Sequence, residues 1–490
     1  MTSGRAPDAL LTVAGKCVPG ADGTYAVHNP ARPAEVVGHA PRASSDQLDE
    51  AVAAARSSLP AWAALAVEER MAQLCAAAQA AAAAITGTDL PTTYTREHGK
   101  VRTEAEMEVS LPPVLAQLFA GMAPPALAPE LVGAPEAYPR LQREPFGVAA
   151  LILPFNWPIA TSMSKLAPAI AAGNTAIVKV PPTCPLAVLM LLAALAAAMP
   201  PGVVNVLGGP GPELGRALVA HPGVDLVSFT GGVGTGRAVM AGAAEHLTPV
   251  LLELGGNDAA IIAPDLPVSD ALADRIAAAA YTTTGQVCMA AKRIYVPRAR
   301  VDELVGALVA RCEREVVGDG LAPDVTLGPL HTPAAFARVQ GMVEDARGRG
   351  GSVHEAGSIR AEDRDAGGYF VRPTIVTGLG PDAPLVADEQ FAPVLPVLAY
   401  DDVDDAVAAA NATEFGLTAS VWTGDDALAE RVSAALCAGT VSVNCHGMAA
   451  QDPRVPFGGF GASGFGREFG AEGIRAYTQT RSFIRHPPPV

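Results

Sequence analysis

Cys288 is the residue of this chain whose type and setting most clearly indicate covalent chemistry. It lies in residues 285–293 (GQVCMAAKR), and Glu253 precedes it in residues 252–258 (LELGGND). A cysteine attacks as the thiolate, which is scarce at neutral pH, so a nucleophilic cysteine needs a base. Taken alone, a cysteine in such a turn is more often a buried packing residue. Taken together, the two motifs indicate a nucleophile and its general base.

Two further features suit this chemistry. Glu253 stands between Leu252 and Leu254, and this apolar setting is expected to raise the pKa of its carboxyl group toward neutrality, where a general base works best. Asn156 lies in residues 154–158 (PFNWP). Its amide is a candidate donor to a developing oxyanion, although an asparagine in such a loop is equally a turn residue.

These motifs resemble, in type and order, signatures of the NAD(P)-dependent aldehyde dehydrogenase superfamily. The resemblance covers nearly the whole chain, and the PFNWP loop matches the family's oxyanion-site loop. One such motif is weak, whereas this many in the family's order are close to decisive. The further matching segments are residues 29–31 (NPA), 97–100 (EHGK), 172–175 (AGNT) leading to Lys179, 229–231 (FTG), 389–394 (EQFAPV), 456–459 (PFGG) and 463–464 (SG).

The resemblance implies oxidation of an aldehyde to a carboxylic acid, with hydride transfer to NAD or NADP. Cys288 would add to the carbonyl, and the thioester left after hydride transfer is reactive enough to hydrolyse. The Asn156 amide and the Cys288 main-chain N–H would hold the oxyanion, and Glu253 would activate the water. Lys165 and Glu468 match positions that the family associates with proton relay. Without the resemblance they are more simply a structural ion pair.

A glycine-rich segment, residues 229–236 (FTGGVGTG), follows a predicted strand and opens a predicted helix. Glycines there let the backbone approach a pyrophosphate at the helix N-terminus. The spacing is not G-x-G-x-x-G, and alone the segment is as often an ordinary turn. The family uses this wider spacing. Gly232 replaces its usual serine and Gly234 its frequent glutamate, so some polar contacts to phosphate are expected to be missing.

The resemblance assigns the remaining cofactor contacts. Lys179 ends a predicted strand, at the sheet edge where α/β proteins bind ligands, and would bond the adenine-side ribose. Pro182 stands where the family often has a glutamate that binds both ribose hydroxyls, which leaves the preference between NAD and NADP open. Glu389, otherwise a surface carboxylate, would hold the nicotinamide ribose with Phe391. The implied cofactor-binding residues are Ile152, Leu153, Pro154, Phe155, Lys179, Pro182, Gly211, Gly215, Phe229, Thr230, Gly231, Gly232, Leu254, Glu389 and Phe391.

Short β-prone runs alternate with helical ones from residue 148 onward, and a second such series follows Gly256. This alternation is typical of a parallel sheet with helices on both faces. Two alanine-rich helices precede it, at residues 48–59 and 69–85, with a break or new start at Pro60. In the first series we predict strands at 148–153, 175–180, 203–207, 226–229 and 250–254, and helices at 165–172, 186–199, 213–220 and 235–243.

The predicted fold class is therefore α/β, and the resemblance implies two doubly wound α/β domains plus a small β oligomerisation arm. The cofactor-binding domain is expected to comprise residues 1–122 and 146–255, and the catalytic domain residues 256–457. The arm would comprise residues 123–145 and 471–490. From the residues alone, the proline-rich stretch 124–145 predicts only a loop.

Bulk properties exclude several classes of function. A formal net charge of −16 argues against a nucleic-acid partner. Seven scattered cysteines are typical of the reducing cytoplasm rather than of a disulfide framework, and no Cys/His spacing suggests a metal site. Residues 1–20 lack an apolar core of signal-peptide length. The apolar run 186–199 is too short to span a bilayer, so we expect a buried helix and no membrane partner. The resemblance implies a homo-oligomer, a dimer or tetramer.

The substrate is the least defined part of the prediction. Thr161 and Ser164 occupy positions that face the tunnel in relatives, and their small side chains, with Val287 and Met289 beside Cys288, suggest a roomy pocket. This favours a neutral aliphatic or aromatic aldehyde. Arg454 is a carboxylate clamp or a surface charge. Cys445 lies in a segment that matches the tunnel lining. We interpret five cysteines as packing residues: Cys17, Cys75, Cys184, Cys312 and Cys437. The sequence indicates no partner for His98, His221 or His446, and none of them is a candidate for catalysis.

Two other functions compete with this interpretation. A coenzyme A-acylating semialdehyde dehydrogenase would pass the acyl group to a thiol instead of water, and such enzymes generally lack the base, so Glu253 argues against it. A catalytically silent structural protein on the same scaffold is the second, because fold alone does not fix function. The presence of Cys288, Glu253 and Asn156 together argues against that alternative.

Overall fold

The computed structural model describes residues 9–132 and 139–485. The strands are β1 Leu11–Val13, β2 Lys16–Val18, β3 Thr24–Asn29, β4 Arg32–Pro41, β5 Glu130–Leu131, β6 Arg140–Pro145, β7 Val148–Ile152, β8 Thr175–Lys179, β9 Val204–Leu207, β10 Leu226–Thr230, β11 Val250–Glu253, β12 Ala259–Ile262, β13 Arg293–Pro297, β14 Val316–Val317, β15 Ser352–Glu355, β16 Ser358–Ile359, β17 Thr374–Thr377, β18 Val394–Tyr400, β19 Phe415–Gly416, β20 Thr418–Trp422, β21 Thr440–Val443, β22 Phe460–Gly461, β23 Gly464–Phe465 and β24 Thr478–Phe483. The α-helices are α1 Ser45–Ala63, α2 Val67–Ile85, α3 Leu90–His98, α4 Arg102–Leu127, α5 Pro158–Ala172, α6 Leu186–Ala197, α7 Glu213–Val219, α8 Val233–Ala243, α9 Asp270–Tyr281, α10 Val301–Cys312, α11 Pro333–Gly348, α12 Pro384–Ala387, α13 Val403–Ala410, α14 Asp426–Ala435 and α15 Gly470–Arg475.

The first large sheet has the order β2-β1-β9-β8-β7-β10-β11-β23, and its five central strands run parallel. Four of these, β7 to β10, are buried at every residue. Strands covered by helices on both faces need mostly apolar sequence. The alternation of strand and helix thus produces the predicted α/β fold.

Register in this sheet brings the predicted site residues to one edge. Ile152 pairs with Lys179 on the neighbouring strand, and Thr230 pairs with Glu253. All four are the last residues of their strands. The carboxyl ends of parallel strands are where α/β sheets bind ligands.

A second large sheet carries the downstream half of the chain. Its order is β15-β17-β18-β13-β12-β20-β21, parallel except for β15. Helices α9 and α10 pack on one face of it and α13 and α14 on the other, each pair with its own buried cluster. The loops at the edge of this sheet hold Cys288 and Glu389.

A small third sheet joins two distant segments of the chain. Strand β6 pairs antiparallel with β24 on one side and with β5 on the other. Strands therefore form within both segments predicted to make the arm, including the proline-rich stretch that the residues alone predicted as loop. Part of the predicted cofactor-binding domain, residues 1–8, lies outside the described residues. So do two parts of the predicted arm, residues 133–138 and 486–490.

Two predicted helix boundaries and one predicted loop were wrong, each at a proline. Helix α1 continues through Pro60 to Ala63, because Pro60 is exposed, so the carbonyl it leaves unpaired faces solvent, and the buried Trp62 anchors the last turn. Helix α5 begins at Pro158 rather than at Lys165, since proline is favoured in a first turn. Helix α4 includes Pro124, where we had predicted a loop.

The other predicted elements of the first series agree with the structure to within two residues at each end. Helix α6, the apolar run that raised the question of a membrane span, packs in the core of the first sheet. Across the described residues, no helix combines the length and apolarity needed to cross a bilayer.

Candidate active site

Glu253 is the last residue of β11 and is buried, with a relative exposure of 5%. Burial and, to a lesser extent, the nearby Glu468 raise the pKa of its carboxyl group, whereas Lys165 and the Cys288 thiol lower it, and the net pKa is about 8. Its Oε1 accepts no hydrogen bond from any described residue. The predicted upward pKa shift of this carboxyl is confirmed, and its Oε1 keeps its lone pairs for a donor.

Cys288 follows a strained turn. Thr283 and Thr284, in the 3-10 turn Thr282–Gly285, have φ angles of 52° and 57°, which β-branched residues rarely adopt. The thiol is partly buried against an apolar cluster. Burial raises its pKa well above the ordinary value, and the charge of Glu253 raises it further. The cluster comprises Trp157, Val287, Met289, Ala290 and Leu417.

Asn156 is in direct contact with residues 282–288, which we call the nucleophile turn. The Asn156 side-chain amide donates to the main-chain carbonyl of Gln286, at 3.0 Å and two residues before Cys288. The Trp157 indole donates to Thr283 Oγ1 of the same turn, at 3.1 Å. The structure therefore brings Cys288, Glu253 and Asn156 together, as the motifs predicted.

A buried ion pair that sequence reasoning missed holds the Asn156 loop. Lys100 is paired with Glu108, and both side chains have no solvent exposure. The Lys100 ammonium also donates to the main-chain carbonyl of Asn156, at 2.9 Å. Glu108 Oε1 accepts the N–H groups of Ile159 and Ala160, at 2.9 and 3.1 Å, and so caps the start of α5. The EHGK motif contains Lys100, but nothing in the sequence indicated its partner.

Lys165 and Glu468 form the predicted pair. The Lys165 ammonium lies 2.6 Å from Glu468 Oε1 and 2.9 Å from Ser228 Oγ, and its side chain is only 1% exposed. Ser164 donates to Glu468 Oε2 at 3.2 Å and is itself buried. Ser164 therefore belongs to this network and does not face an open tunnel, which corrects the prediction.

The glycine-rich turn fits a pyrophosphate. Helix α8 begins after Gly232 with no side chain capping its first N–H groups, so these donors are available to an anion. A Cβ on Gly232 or Gly234 would meet nothing within 4 Å. Thr230 Oγ1 is buried and has no partner among the described residues. The cradle and the unpaired hydroxyl together suit the phosphates of a dinucleotide.

Lys179 stands beside this cradle. It is 6% exposed, and burial lowers the pKa of its ammonium to about 8. The ammonium makes one hydrogen bond to the described residues, to the Val180 carbonyl at 3.3 Å. Gly215 lies against the aliphatic part of Lys179: a Cβ added to this glycine would be 3.7 Å from Lys179 Cε. The ammonium thus keeps donors for a polar ligand, as the resemblance implied. Gly211 adopts a φ of 71° in the loop before α7.

Pro182 is partly buried and has no side-chain acceptor. The hydroxyl of its neighbour Thr183 is bonded to His331. Nδ1 of His331 lies 2.9 Å from the His98 carbonyl, to which it donates, so Nε2 accepts from the Thr183 hydroxyl at 2.5 Å. Burial lowers the pKa of His331 to about 4, which keeps the ring neutral. The His331 ring also stacks on Phe155, with centroids 4.5 Å apart. No sequence signal indicated His331.

Glu389 is not the surface carboxylate that it resembles in isolation. Its side chain is 17% exposed, and its Oε1 accepts the Gly256 N–H at 3.1 Å. Phe391, at a φ of 49°, lies edge-on to Phe155 with ring centroids 5.9 Å apart. Leu254, directly after Glu253, is buried. A Cβ added to Gly236 would touch its side chain.

A cavity of about 510 Å³ opens next to the nucleophile turn. Met448 lines it and also packs on the apolar cluster around Cys288. Cys445 lines it too. Arg454 does not: it pairs with Asp452 on the surface, so it is a surface charge. The cavity is lined by Arg275, Ala278, Ala279, Thr282, Trp422, Asn444, Cys445, His446, Met448 and Ala449.

Several minor predictions fail in the structure. Cys184 and Cys312 are buried and Cys75 is partly buried, but Cys17 and Cys437 are exposed and do not serve packing. Each histidine predicted to be unpaired has a partner. His221 lies 3.2 Å from Asp49, His446 lies 2.7 Å from Ser420 Oγ, and His98 Nδ1 accepts the Lys100 N–H. Within the described residues, no three His, Cys, Asp or Glu side chains are placed to hold a metal ion.

Comparison with known sequences gives a consistent result. The model of the aldehyde dehydrogenase family matches residues 17–483. Betaine aldehyde dehydrogenase of Vibrio vulnificus is 35% identical over 461 residues, which is 94% of this chain and 93% of that protein. Phenylacetaldehyde dehydrogenase of Pseudomonas fluorescens is 40% identical over 349 residues, 70% of this chain and 68% of that protein.

A solved structure extends the likeness to the fold. Betaine aldehyde dehydrogenase of Staphylococcus aureus, crystallised in complex with NAD+, superposes with a TM-score of 0.89 at 29% identity. The match covers 99% of this chain and 95% of that one.

Proposed function

The chain belongs to the aldehyde dehydrogenase family, and on that premise we propose that it oxidises its aldehyde through a covalent intermediate on Cys288. It is an NAD(P)-dependent oxidoreductase acting on aldehydes. One observation carries the assignment of residues: the Asn156 amide bonds to the turn that leads into Cys288, and Cys288 and Glu253 lie close enough to shift each other's pKa. A nucleophile, an oxyanion donor and a base thus meet at one point.

Acylation begins when the Cys288 thiol gives up its proton to solvent and its sulfur bonds to the aldehyde carbon. The carbonyl oxygen becomes an oxyanion, which the Asn156 amide and the Cys288 N–H stabilise by hydrogen bonds. NAD or NADP, when bound, supplies the nicotinamide that accepts the hydride. The oxyanion electrons then reform the carbonyl, leaving a thioester on Cys288.

Hydrolysis needs a base for water, and Glu253 suits this role. Its pKa of about 8 makes the carboxylate a strong enough base to accept a proton from water near physiological pH. The hydroxide adds to the thioester carbon, the sulfur–carbon bond breaks, and the carboxylic acid leaves as the Cys288 thiolate is restored. Lys165 and Glu468 lie behind Glu253, and we assign them to proton relay from it.

The residues present suit NAD or NADP at both ends. The free N-terminus of α8 and the unpaired Thr230 hydroxyl would hold the pyrophosphate. Lys179 would donate to the adenine-side ribose, and Glu389 would accept from the nicotinamide ribose. Ile152, Lys179 and Thr230 end strands at this sheet edge, and we assign the other predicted cofactor residues to the path between these points.

We infer that the substrate is a neutral aliphatic or aromatic aldehyde of some bulk. The cavity of about 510 Å³ supports this, because small side chains such as Ala278, Ala449 and Thr282 leave it wide. Arg275 also lines the cavity and donates to the Asn444 carbonyl at 3.2 Å. That cation favours a second candidate class, aldehydes that carry a carboxylate at the far end.

We also infer a cytoplasmic homo-oligomer, a dimer or tetramer. All seven thiols are free, which suits a reducing compartment. The β24-β6-β5 sheet carries exposed apolar side chains at Leu131 and Phe483, as an association surface would. We assign residues 1–122 and 146–255 to cofactor binding, 256–457 to catalysis, and 123–145 and 471–490 to the arm.

The test is an assay of neutral and carboxylate-bearing aldehydes with each cofactor, following its reduction. The parent enzyme and two variants, Cys288→Ala and Cys437→Ala, are compared. We expect Cys288→Ala to fall below about a hundredth of the parent rate, as loss of a nucleophile should. Cys437 is exposed and has no role in the proposed mechanism, so Cys437→Ala should retain full activity. Higher residual activity in Cys288→Ala would contradict the proposal.

A further inference from the structure

Lys292 is a fully buried lysine close to the nucleophile that the proposed mechanism leaves without a role. Its side chain is 1% exposed. Its ammonium lies 2.8 Å from the carbonyl of Val287, 2.9 Å from that of Cys288 and 3.3 Å from that of Gly256. Glu389 Oε1 lies 3.4 Å away. Burying an ammonium is costly unless it is bonded in this way, so these contacts call for an explanation.

The contact with Val287 fixes the orientation of one peptide group. In a planar trans peptide the C=O and the N–H point in opposite directions. The Val287 carbonyl is held by Lys292, so the N–H of Cys288, which belongs to the same peptide, is directed away from the ammonium. Among the described residues, that N–H donates to no protein acceptor. The donor therefore stays available for a ligand.

We propose that Lys292 is a positioning residue that holds the Val287–Cys288 peptide by its carbonyl and so presents the Cys288 N–H to the oxyanion. The inference rests on the proposed function and adds a residue to it. A charged donor on the carbonyl also polarises the peptide and strengthens its N–H as a donor. Through Glu389, the same ammonium ties the nucleophile turn to the carboxylate assigned to the nicotinamide ribose.

The charges around Cys288 give a second readout. Glu253, Asp258 and Glu389 face the thiol as carboxylates and disfavour its thiolate, whereas Lys292 favours it. Removing the Lys292 charge should therefore raise the pKa of the thiol. Alkylation by iodoacetamide reports this directly, because that displacement at carbon needs the thiolate but no oxyanion donor. A lysine that only filled space would leave the alkylation profile unchanged.

The experiment compares Lys292→Met, which removes the donors, with Lys292→Gln, which keeps a neutral donor. The burst of reduced cofactor is measured at saturating aldehyde and cofactor, and the pH profile of alkylation of the Cys288 peptide is followed by mass spectrometry. We expect the burst rate constant to fall about tenfold or more in Lys292→Met and less in Lys292→Gln. The alkylation midpoint should move to higher pH in both.

Arg293→Met is the matched control. Arg293 is an equally buried neighbouring cation, but it donates to the carbonyls of Asn257, Ala409 and Ala410, away from the nucleophile turn. We expect it to lower thermal stability and to leave the burst rate constant per active site unchanged.

A burst rate constant within about twofold of the parent, with an unmoved alkylation profile, would overturn the inference. If Lys292→Met does not fold, as judged by circular dichroism, Lys292→Gln decides by the same criteria. Cys288→Ala is run in parallel. Turnover in Cys288→Ala would defeat the proposed function itself, whereas an inactive Cys288→Ala beside an unaffected Lys292→Met would defeat only the role of Lys292.

Discussion

The ammonium of Lys165 lies 2.6 Å from the carboxylate of Glu468, and both charges act on the carboxyl of Glu253. Glu468 raises the pKa of Glu253 and Lys165 lowers it. Burial is the largest cause of the raised pKa, and the pair adjusts the pH at which the base becomes available.

The pH dependence of turnover should follow from this arrangement. Glu253 acts as a base only when deprotonated, so kcat should rise with pH through about 8. In Glu468→Gln the charge that raises the pKa is gone, and the midpoint should move to lower pH. In Lys165→Met the opposing charge is gone, and the midpoint should move to higher pH. A neighbouring charge typically shifts a pKa by about one unit or more.

The measurement is kcat against pH for the three enzymes under one set of conditions. Shifts in the same direction for both variants, or a parent profile that is flat between pH values on either side of 8, would contradict the assignment of the rising limb to Glu253.

Replacing the base should separate the two halves of the reaction. Hydride transfer precedes the water step, so Glu253→Gln should still give a burst of reduced cofactor close to one per active site. Steady-state turnover should then fall on the order of a hundredfold or more, as for loss of a general base. Stopped-flow absorbance measures both. Unchanged turnover would remove Glu253 from the mechanism, and loss of the burst would mean that it is needed to form the thiolate.

The sequence predicted the strands of the first sheet well, because buried parallel strands need continuous apolar runs that turns interrupt. It failed where context overrides a local signal. Pro60 usually ends a helix, but on an exposed face its missing N–H costs little. The start of α5 depends on Glu108, which is distant in sequence and caps it.

The same division holds for the site. Cys288, Glu253 and Asn156 were predictable because their motifs carry the chemistry directly. Lys292 stands in a quoted motif, yet only the fold shows that its ammonium bonds to the carbonyls of Val287 and Cys288. His331 carries no local signal at all, because its partners His98 and Thr183 lie far from it in the chain.

Cofactor preference should be weak. A glutamate at position 182 would bond the free 2′-hydroxyl and repel a 2′-phosphate, and Pro182 does neither. Thr183 is bonded to His331, so Lys179 is left as the nearby donor. We expect kcat/KM for NAD and NADP to lie within about a hundredfold of each other, since one or two hydrogen bonds decide it. A preference for NAD above about a thousandfold would contradict this account.

The buried Lys100–Glu108 pair should matter for stability. Lys100→Met leaves the Glu108 carboxylate buried without its cation, which typically costs about 3–5 kcal/mol. The thermal midpoint at a fixed protein concentration measures the loss, with Lys16→Met on the exposed β2 strand as the control. Equal midpoints for the two variants would show that the pair does not stabilise the fold.

The most direct test of the central claim is to trap the acyl group. Glu253→Gln is mixed with an aldehyde and cofactor, quenched in acid after the burst, digested, and analysed by mass spectrometry. The account predicts that the peptide containing Cys288 gains the mass of the acyl group, close to one per chain, while the peptides containing Cys184 and Cys312 remain unmodified. Formation of reduced cofactor with no acyl group on the Cys288 peptide would contradict covalent catalysis by this residue.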